Sequence, residues 1–337
     1  YHEAPAPGEP FCAFDWGNLH IVLISNESRE NAAEWLDQHL ASVKDKNVIV
    51  AQHIPPYCTG YASPNDQRKE TGNSFAALTR VCDKYRVPLF LAGHTHIYER
   101  TFPLRDGKRD DQDGVTYVIQ GGDIGGNFPE TWTAVVDDAQ TMAKPTFTVV
   151  QSRKSTVEFR TLVWGKSDKR FVEIDHHIIY KDPAAPEKLL QSLSKSKGRK
   201  LLETIETLGA MGYVPAAKAL AAQLDSTDLD TQRAAALALA RIGAGDAAPD
   251  LLAHLQDADV DVRRNVARAL EAAMTSEIGE SVAEQALDRG QDTLVRVRLV
   301  GALQLYAQPD LTRTTALNLI GAEQVPEVRK RAAYALA

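Results

Sequence analysis

The sequence predicts two modules, an α/β sandwich with mixed sheets followed by an all-α solenoid, and three observations carry that expectation. Up to residue 100, short β-rich runs alternate with amphipathic helical patterns, which is how a parallel, helix-covered sheet is written. Between residues 114 and 180 the runs are strand-like and no helical pattern separates them. From Leu201 the chain repeats itself at intervals of 31 to 33 residues. Composition divides near the same place, because all 4 Trp and 9 Phe residues precede Lys181 and the remainder is rich in Ala and Leu. A chain of 337 residues is long enough for two domains with separate cores. The expected limits are 1–180 for the first module, 181–200 for a linker and 201–337 for the solenoid.

Residues 19–25 (LHIVLIS), 47–52 (NVIVAQ) and 87–92 (VPLFLA) read as buried strands of the first module. The first helix is expected from Ser28, its N-cap, to Val43, with Ala32, Leu36, Leu40 and Val43 on one face. A second begins near Asn73 and gathers Phe75, Leu78, Cys82 and Tyr85. After Arg100, residues 114–120 (GVTYVIQ), 146–151, 156–164 and 171–180 read as antiparallel strands. In the solenoid, AAKALAAQL ending at Leu224 matches APDLLAHL ending at Leu255, and residues 230–239 match 261–270 at the same shift. VRVRLVGAL (295–303) and VRKRAAYAL (328–336) continue the series. Helix pairs of this kind bury their apolar faces only by stacking on their neighbours.

A formal charge of −7 argues against general attraction to nucleic acid or an anionic membrane, so no nucleic-acid partner is expected. Three cysteines, Cys12, Cys58 and Cys82, lack C-x-x-C spacing and cannot form a full disulfide framework. No apolar run reaches the roughly 18 residues a transmembrane helix needs. The chain starts at Tyr1 without methionine and stops inside a helical pattern, from which a fragment is expected.

Ligands gather beyond the carboxyl ends of parallel strands, and two of the three strands end in histidine. IVAQH closes with His53, and FLAGHTH with His94 and His96. Imidazole binds Zn, Fe or Mn through one neutral nitrogen. Side chains at i and i+2 share a face of an extended segment, so His94 and His96 can serve one metal or two adjacent ones. Gly93 is expected to let the backbone turn where a side chain would crowd the site. Taken alone, the segment reads more readily as a polar turn after a buried strand than as a metal-binding turn.

The neighbourhood sharpens it. FDWGNLHIVLIS (14–25), VIVAQHIPPY (48–57), GHTHIYER (93–100) and then GGDIGGN (121–127) follow one another in an order that resembles the calcineurin-like metallophosphoesterase superfamily. The G-H-x-H-x-Y-E-R form resembles its purple acid phosphatase branch. The resemblance covers about residues 9–180, the C-terminal part of such a domain, so the sandwich is expected to be N-terminally incomplete. Residues 201–337 resemble HEAT repeats. The resemblance implies that His53 and His94 ligate one metal and His96 the other, with Tyr98, Glu99 and Arg100 supporting the turn from behind. It implies a metal pair, Fe with Zn, Mn or Fe, whose bridging hydroxide hydrolyses a phosphate ester. Tyr57, Gly121 and Gly122 would line the substrate rim. A secreted or periplasmic location and a protein partner for the HEAT repeats are implied in the same way.

The family's aspartate motifs and its G-N-H-E motif, which lie ahead of the FDWGN region, are not present in this chain. Catalytic residues are therefore expected upstream of Tyr1, the longer parent is expected to be the phosphatase, and this chain alone is expected to be inactive. The other reading is a non-catalytic binding or scaffold protein, with a degenerate phosphoesterase domain and partner-binding repeats. Gly245-Asp246 with Asp250 mimics a lost motif but falls on an inter-helix turn, and His20, His39, His176 and His177 are read as structural.

Overall fold

The computed structural model describes residues 10–26, 29–58, 74–94, 98–121, 133–136, 146–165, 170–182, 184–243, 245–273, 275–306, 309–322 and 325–336. The chain divides into two units, Tyr1–Asp182 and Pro183–Ala337. In the first, β1 (Phe11–Trp16), β2 (Leu19–Ile24), α1 (Arg29–Leu40), β3 (Asn47–Gln52), α2 (Ser74–Lys84), β4 (Leu89–Ala92) and β5 (Glu99–Thr101) follow in order. After them come the small hairpin β6 (Leu104–Arg105) and β7 (Lys108–Arg109), then β8 (Thr116–Ile119), β9 (Thr133–Val136), β10 (Thr146–Ser152), β11 (Thr156–Gly165) and β12 (Arg170–Tyr180).

A seven-stranded sheet runs β1-β2-β3-β4-β8-β5-β9, and β10-β11-β12 form a separate antiparallel sheet. Strands β2, β3, β4 and β8 are mutually parallel. Their alternate residues Val22, Ile24, Val48, Val50, Phe90, Ala92 and Tyr117 share one core with Ala32, Leu36 and Leu40 of α1 and Leu78 and Cys82 of α2. That face is the reason the two helices form where they do, since apolar positions at i, i+4 and i+8 have a sheet to cover. Helix α1 stops at Leu40, and Val43, expected in its last turn, packs from beyond it with its amide bonded to the Leu40 carbonyl. Ser28 lies outside the described residues.

Two expectations are corrected. Residues 116–119 are not purely antiparallel: β8 pairs parallel with β4 on one side and antiparallel with β5 on the other. Strand β1 was not foreseen; it joins β2 through the two-residue turn Gly17-Asn18, with Gly17 at φ +60°. The two sheets are tied by Asn47, which donates to Ser152 Oγ at 2.7 Å and the Arg153 carbonyl at 2.8 Å, and by Gln120, which donates to Thr146 Oγ1 at 2.5 Å.

The second unit holds five successive helix pairs among the described residues. They are α3 (Ala184–Leu193) with α4 (Arg199–Ala210), α5 (Ala217–Ala221) with α6 (Leu229–Ile242), and α7 (Ala248–Leu252) with α8 (Val260–Ala273). The last two are α9 (Gly279–Leu287) with α10 (Thr293–Tyr306) and α11 (Pro309–Ala322) with α12 (Pro326–Tyr334). Segment 181–200, expected as a linker, instead contains α3, whose Leu189, Leu190 and Leu193 pack into the helical core. Its apolar face has the next helix pair to stack on, which a solvated linker would not.

The repeat is visible in its polar contacts. Asp228 caps α6 by accepting from the Thr231 amide, and Asp259 and Asp292 cap α8 and α10 by accepting from the amides of Val262 and Val295. Five residues after a cap, Arg233 reaches Asp259 at 2.6 Å, and Arg264 holds Asp292 through two bonds of 2.9 and 2.8 Å. Asp259 and Asp292 therefore each also receive a cation from the preceding repeat. In the next step Val297 and Val325 occupy the two positions, and both pack against the apolar core. The ionic link is replaced at both ends at once.

Candidate metal centre

Strands β3 and β4 lie side by side and parallel, so the residues that follow their carboxyl ends emerge together. His53 follows β3 and His94 follows β4 after Gly93. The Gly93 amide donates to the His53 carbonyl at 2.9 Å and fixes the two chain ends to each other. His53 Nε2 and His94 Nδ1 are 3.2 Å apart, with ring planes at 81°. Two imidazoles on one tetrahedral ion, at about 2.0–2.1 Å per bond, place their nitrogens roughly 3.3 Å apart. The 3.2 Å spacing of His53 Nε2 and His94 Nδ1 is close to that value. His53 is exposed and lines a cleft of about 370 Å³ with Leu23, Ile24, Ala51, Gln52, Leu91 and Ala92. Gln52 is 5% exposed, and its Oε1 has no hydrogen-bond partner among the described residues.

The demanding backbone position is His94 and not Gly93. His94 stands at φ +73°, the left-handed region that L side chains rarely adopt. A Cβ on Gly93 would meet His53 Nδ1 at 3.6 Å, which is ordinary contact, so the expected crowding at Gly93 is not found. His96 lies outside the described residues, as does Gly122. Among the described residues, no group of three His, Cys, Asp or Glu side chains is placed to hold an ion.

Tyr98, Glu99 and Arg100 are buried in and beside β5. Tyr98 Oη donates to Asp175 Oδ2 at 2.7 Å, and Arg100 donates to both Asp175 oxygens at 2.7 and 3.2 Å. Burial pushes the Tyr98 phenol well above its usual pKa, and the Asp175 charge adds to that. Burial opposes the Arg100 cation, but Asp175 outweighs it and holds the guanidinium above its ordinary value. Asp175, on β12, was missed by sequence reasoning, and no local pattern announces it. The rim expectation for Tyr57 is corrected: its ring is 8% exposed and packs edge-on against Tyr117 in the core on the helix side. Gly121 offers its carbonyl to the Thr146 hydroxyl.

His53 and His94 thus meet at the carboxyl ends of two adjacent parallel strands of the mixed sheet. Residues 7–98 match the model of the calcineurin-like phosphoesterases, and residues 184–272 match that of HEAT repeats. Within the phosphoesterases the similarity is to acid phosphatases. The chain is 30% identical over 124 residues to purple acid phosphatase 21 of Arabidopsis thaliana, covering 35% of this chain and 27% of that protein. It is 36% identical over 92 residues to an acid phosphatase of Aspergillus ficuum, covering 26% of this chain and 14% of that one. Among solved structures it is similar to the purple acid phosphatase of yellow lupin (Lupinus luteus) seeds, with TM-score 0.40, 19% identity, and 51% of this chain and 33% of that chain covered. The chain thus spans about a quarter of the plant relative and less of the fungal one. No described helix is long and apolar enough to cross a membrane.

Proposed function

We propose that the first unit carries the histidine-rich half of a dimetal phosphoesterase site of the purple acid phosphatase type. The observation that carries this reading is the convergence of His53 Nε2 and His94 Nδ1 to 3.2 Å beyond the carboxyl ends of β3 and β4. His53 and His94 would hold one ion and His96 the second, Fe paired with Zn, Mn or Fe. When bound, such ions supply Lewis acidity toward water and the phosphoryl group. The chain's own contribution is positional: the parallel pair β3 and β4 delivers both imidazoles, and the Gly93 to His53 bond holds them at one point.

The substrate of this reading is a phosphate ester, and the carboxylates that a metal pair requires are not grouped with His53 and His94 among the described residues. The helix pairs offer a surface for a protein partner, and the compartment proposed from the branch is secreted or periplasmic. The test is hydrolysis of p-nitrophenyl phosphate by the complete gene product loaded with Fe and Zn. Turnover that falls by at least about 100-fold in His94→Ala supports the reading, in line with loss of a metal ligand. Metal-loaded protein without turnover, or turnover unaffected by His94→Ala, contradicts it.

A further inference from the structure

The segment that bears His94 and His96 is bounded by two described ends. At its start, His94 stands in a left-handed conformation beside His53. Such a conformation persists only where the surroundings over-determine it. The Gly93 to His53 hydrogen bond supplies one constraint. The other end begins at Tyr98, and there the constraint comes from a different sheet. Asp175 of β12 accepts from Tyr98 and from Arg100, and all three side chains are buried to 1% exposure or less. We propose that Asp175 is a positioning residue for the candidate metal-binding pair, clamping Tyr98 and Arg100 so that the chain entering β5 is fixed and His94 is held in register with His53.

The proposal rests on the metal reading above and assigns a role to a residue 77 positions beyond Tyr98. Three features favour a clamp over a general tie between sheets. One carboxylate takes both donors, and they flank Glu99 at the first residues after the histidine segment. Its two oxygens are divided, Oδ2 receiving Tyr98 and Arg100 Nε while Oδ1 receives the Arg100 amino group, which fixes direction as well as distance. The other inter-sheet ties named above start from Asn47 and Gln120, which do not flank the histidine segment in sequence.

The test is Co(II) titration of the 337-residue chain, with Asp175→Asn and the milder Tyr98→Phe beside wild type. Phe159→Leu, a buried change in the neighbouring strand β11, serves as a control for general destabilisation. Loss of a partner that orients metal ligands lowers metal affinity by about 10–100-fold. The expected result is that weakening for Asp175→Asn, a smaller one for Tyr98→Phe, an altered Co(II) absorption band in both, and neither change in Phe159→Leu. The His94 ring resonance in the metal-free protein shifts in the first two variants only. If folded Asp175→Asn and Tyr98→Phe keep wild-type Co(II) affinity and the wild-type His94 resonance, Asp175 is a structural tie and the proposal is wrong. If wild type binds no Co(II), the metal reading fails, and the His94 resonance alone decides whether Asp175 positions that segment.

Discussion

His94 combines two demands in one residue, a ring that meets His53 and a backbone at φ +73°. Removing the ring with alanine keeps the backbone strain, whereas glycine removes both. The expected outcome is that His94→Gly is more stable than His94→Ala by about 1 kcal/mol in urea denaturation. Equal stability of the two would place the strain elsewhere. A second histidine pair makes a pH prediction. His20 Nδ1 bonds Asp15 Oδ1 at 2.8 Å, His20 Nε2 bonds His39 Nε2 at 2.8 Å, and His39 stacks on Trp35. Burial and the charge of His20 hold the His39 pKa below its ordinary value of 6.5. The unfolded chain therefore binds the proton more readily than the folded one. The stability His39 contributes is full above pH 6.5 and is lost as pH falls through 6.5 toward the lowered folded pKa. Urea midpoints measured between pH 7.5 and 5.5 should fall more steeply for wild type than for His39→Gln. Parallel slopes would remove His39 from the account.

At the scale of elements, Gly301 in α10 shows packing overriding helix propensity. Glu271 on α8 is bonded by Arg298 of α10 at 2.8 Å and lies 3.8 Å from Arg331 of α12. This charge cluster passes over Gly301, where a Cβ would overlap the Glu271 carboxylate and come within 2.5 Å of Arg331. Alanine in a helix is worth up to about 1 kcal/mol over glycine by propensity alone. Gly301→Ala is nevertheless expected to destabilise the protein by about 1–3 kcal/mol, because the side chains around it must leave their geometry. A thermal melt shifted upward would contradict that. Elements also differ in how far they could be read. The runs at 19–25, 47–52 and 87–92 were legible because strands buried in a parallel sheet are continuously apolar. The pairing of β8 was not, since parallel or antiparallel neighbours are chosen by the connections and not by the strand's own residues. Strand β5, three residues long, has too few positions to show a period.

At the scale of the whole molecule, the repeats were legible because each helix pair restates the same apolar and capping positions, as Asp228, Asp259 and Asp292 do. The candidate pair His53 and His94 was legible for a related reason: each follows the end of an apolar strand, so residue type and topology coincide in one short segment. Asp175 was not, because its partners on β5 are joined to it by burial and charge across two sheets. The central claim is that His53 and His94 form one half of a metal site. Its most direct test is calorimetric titration of the chain with Zn(II), beside His53→Ala and His94→Ala. The account predicts saturable binding to wild type that each substitution weakens by at least about tenfold, the scale on which a lost ligand acts. Binding that is absent in wild type, or unchanged in both variants, would contradict it.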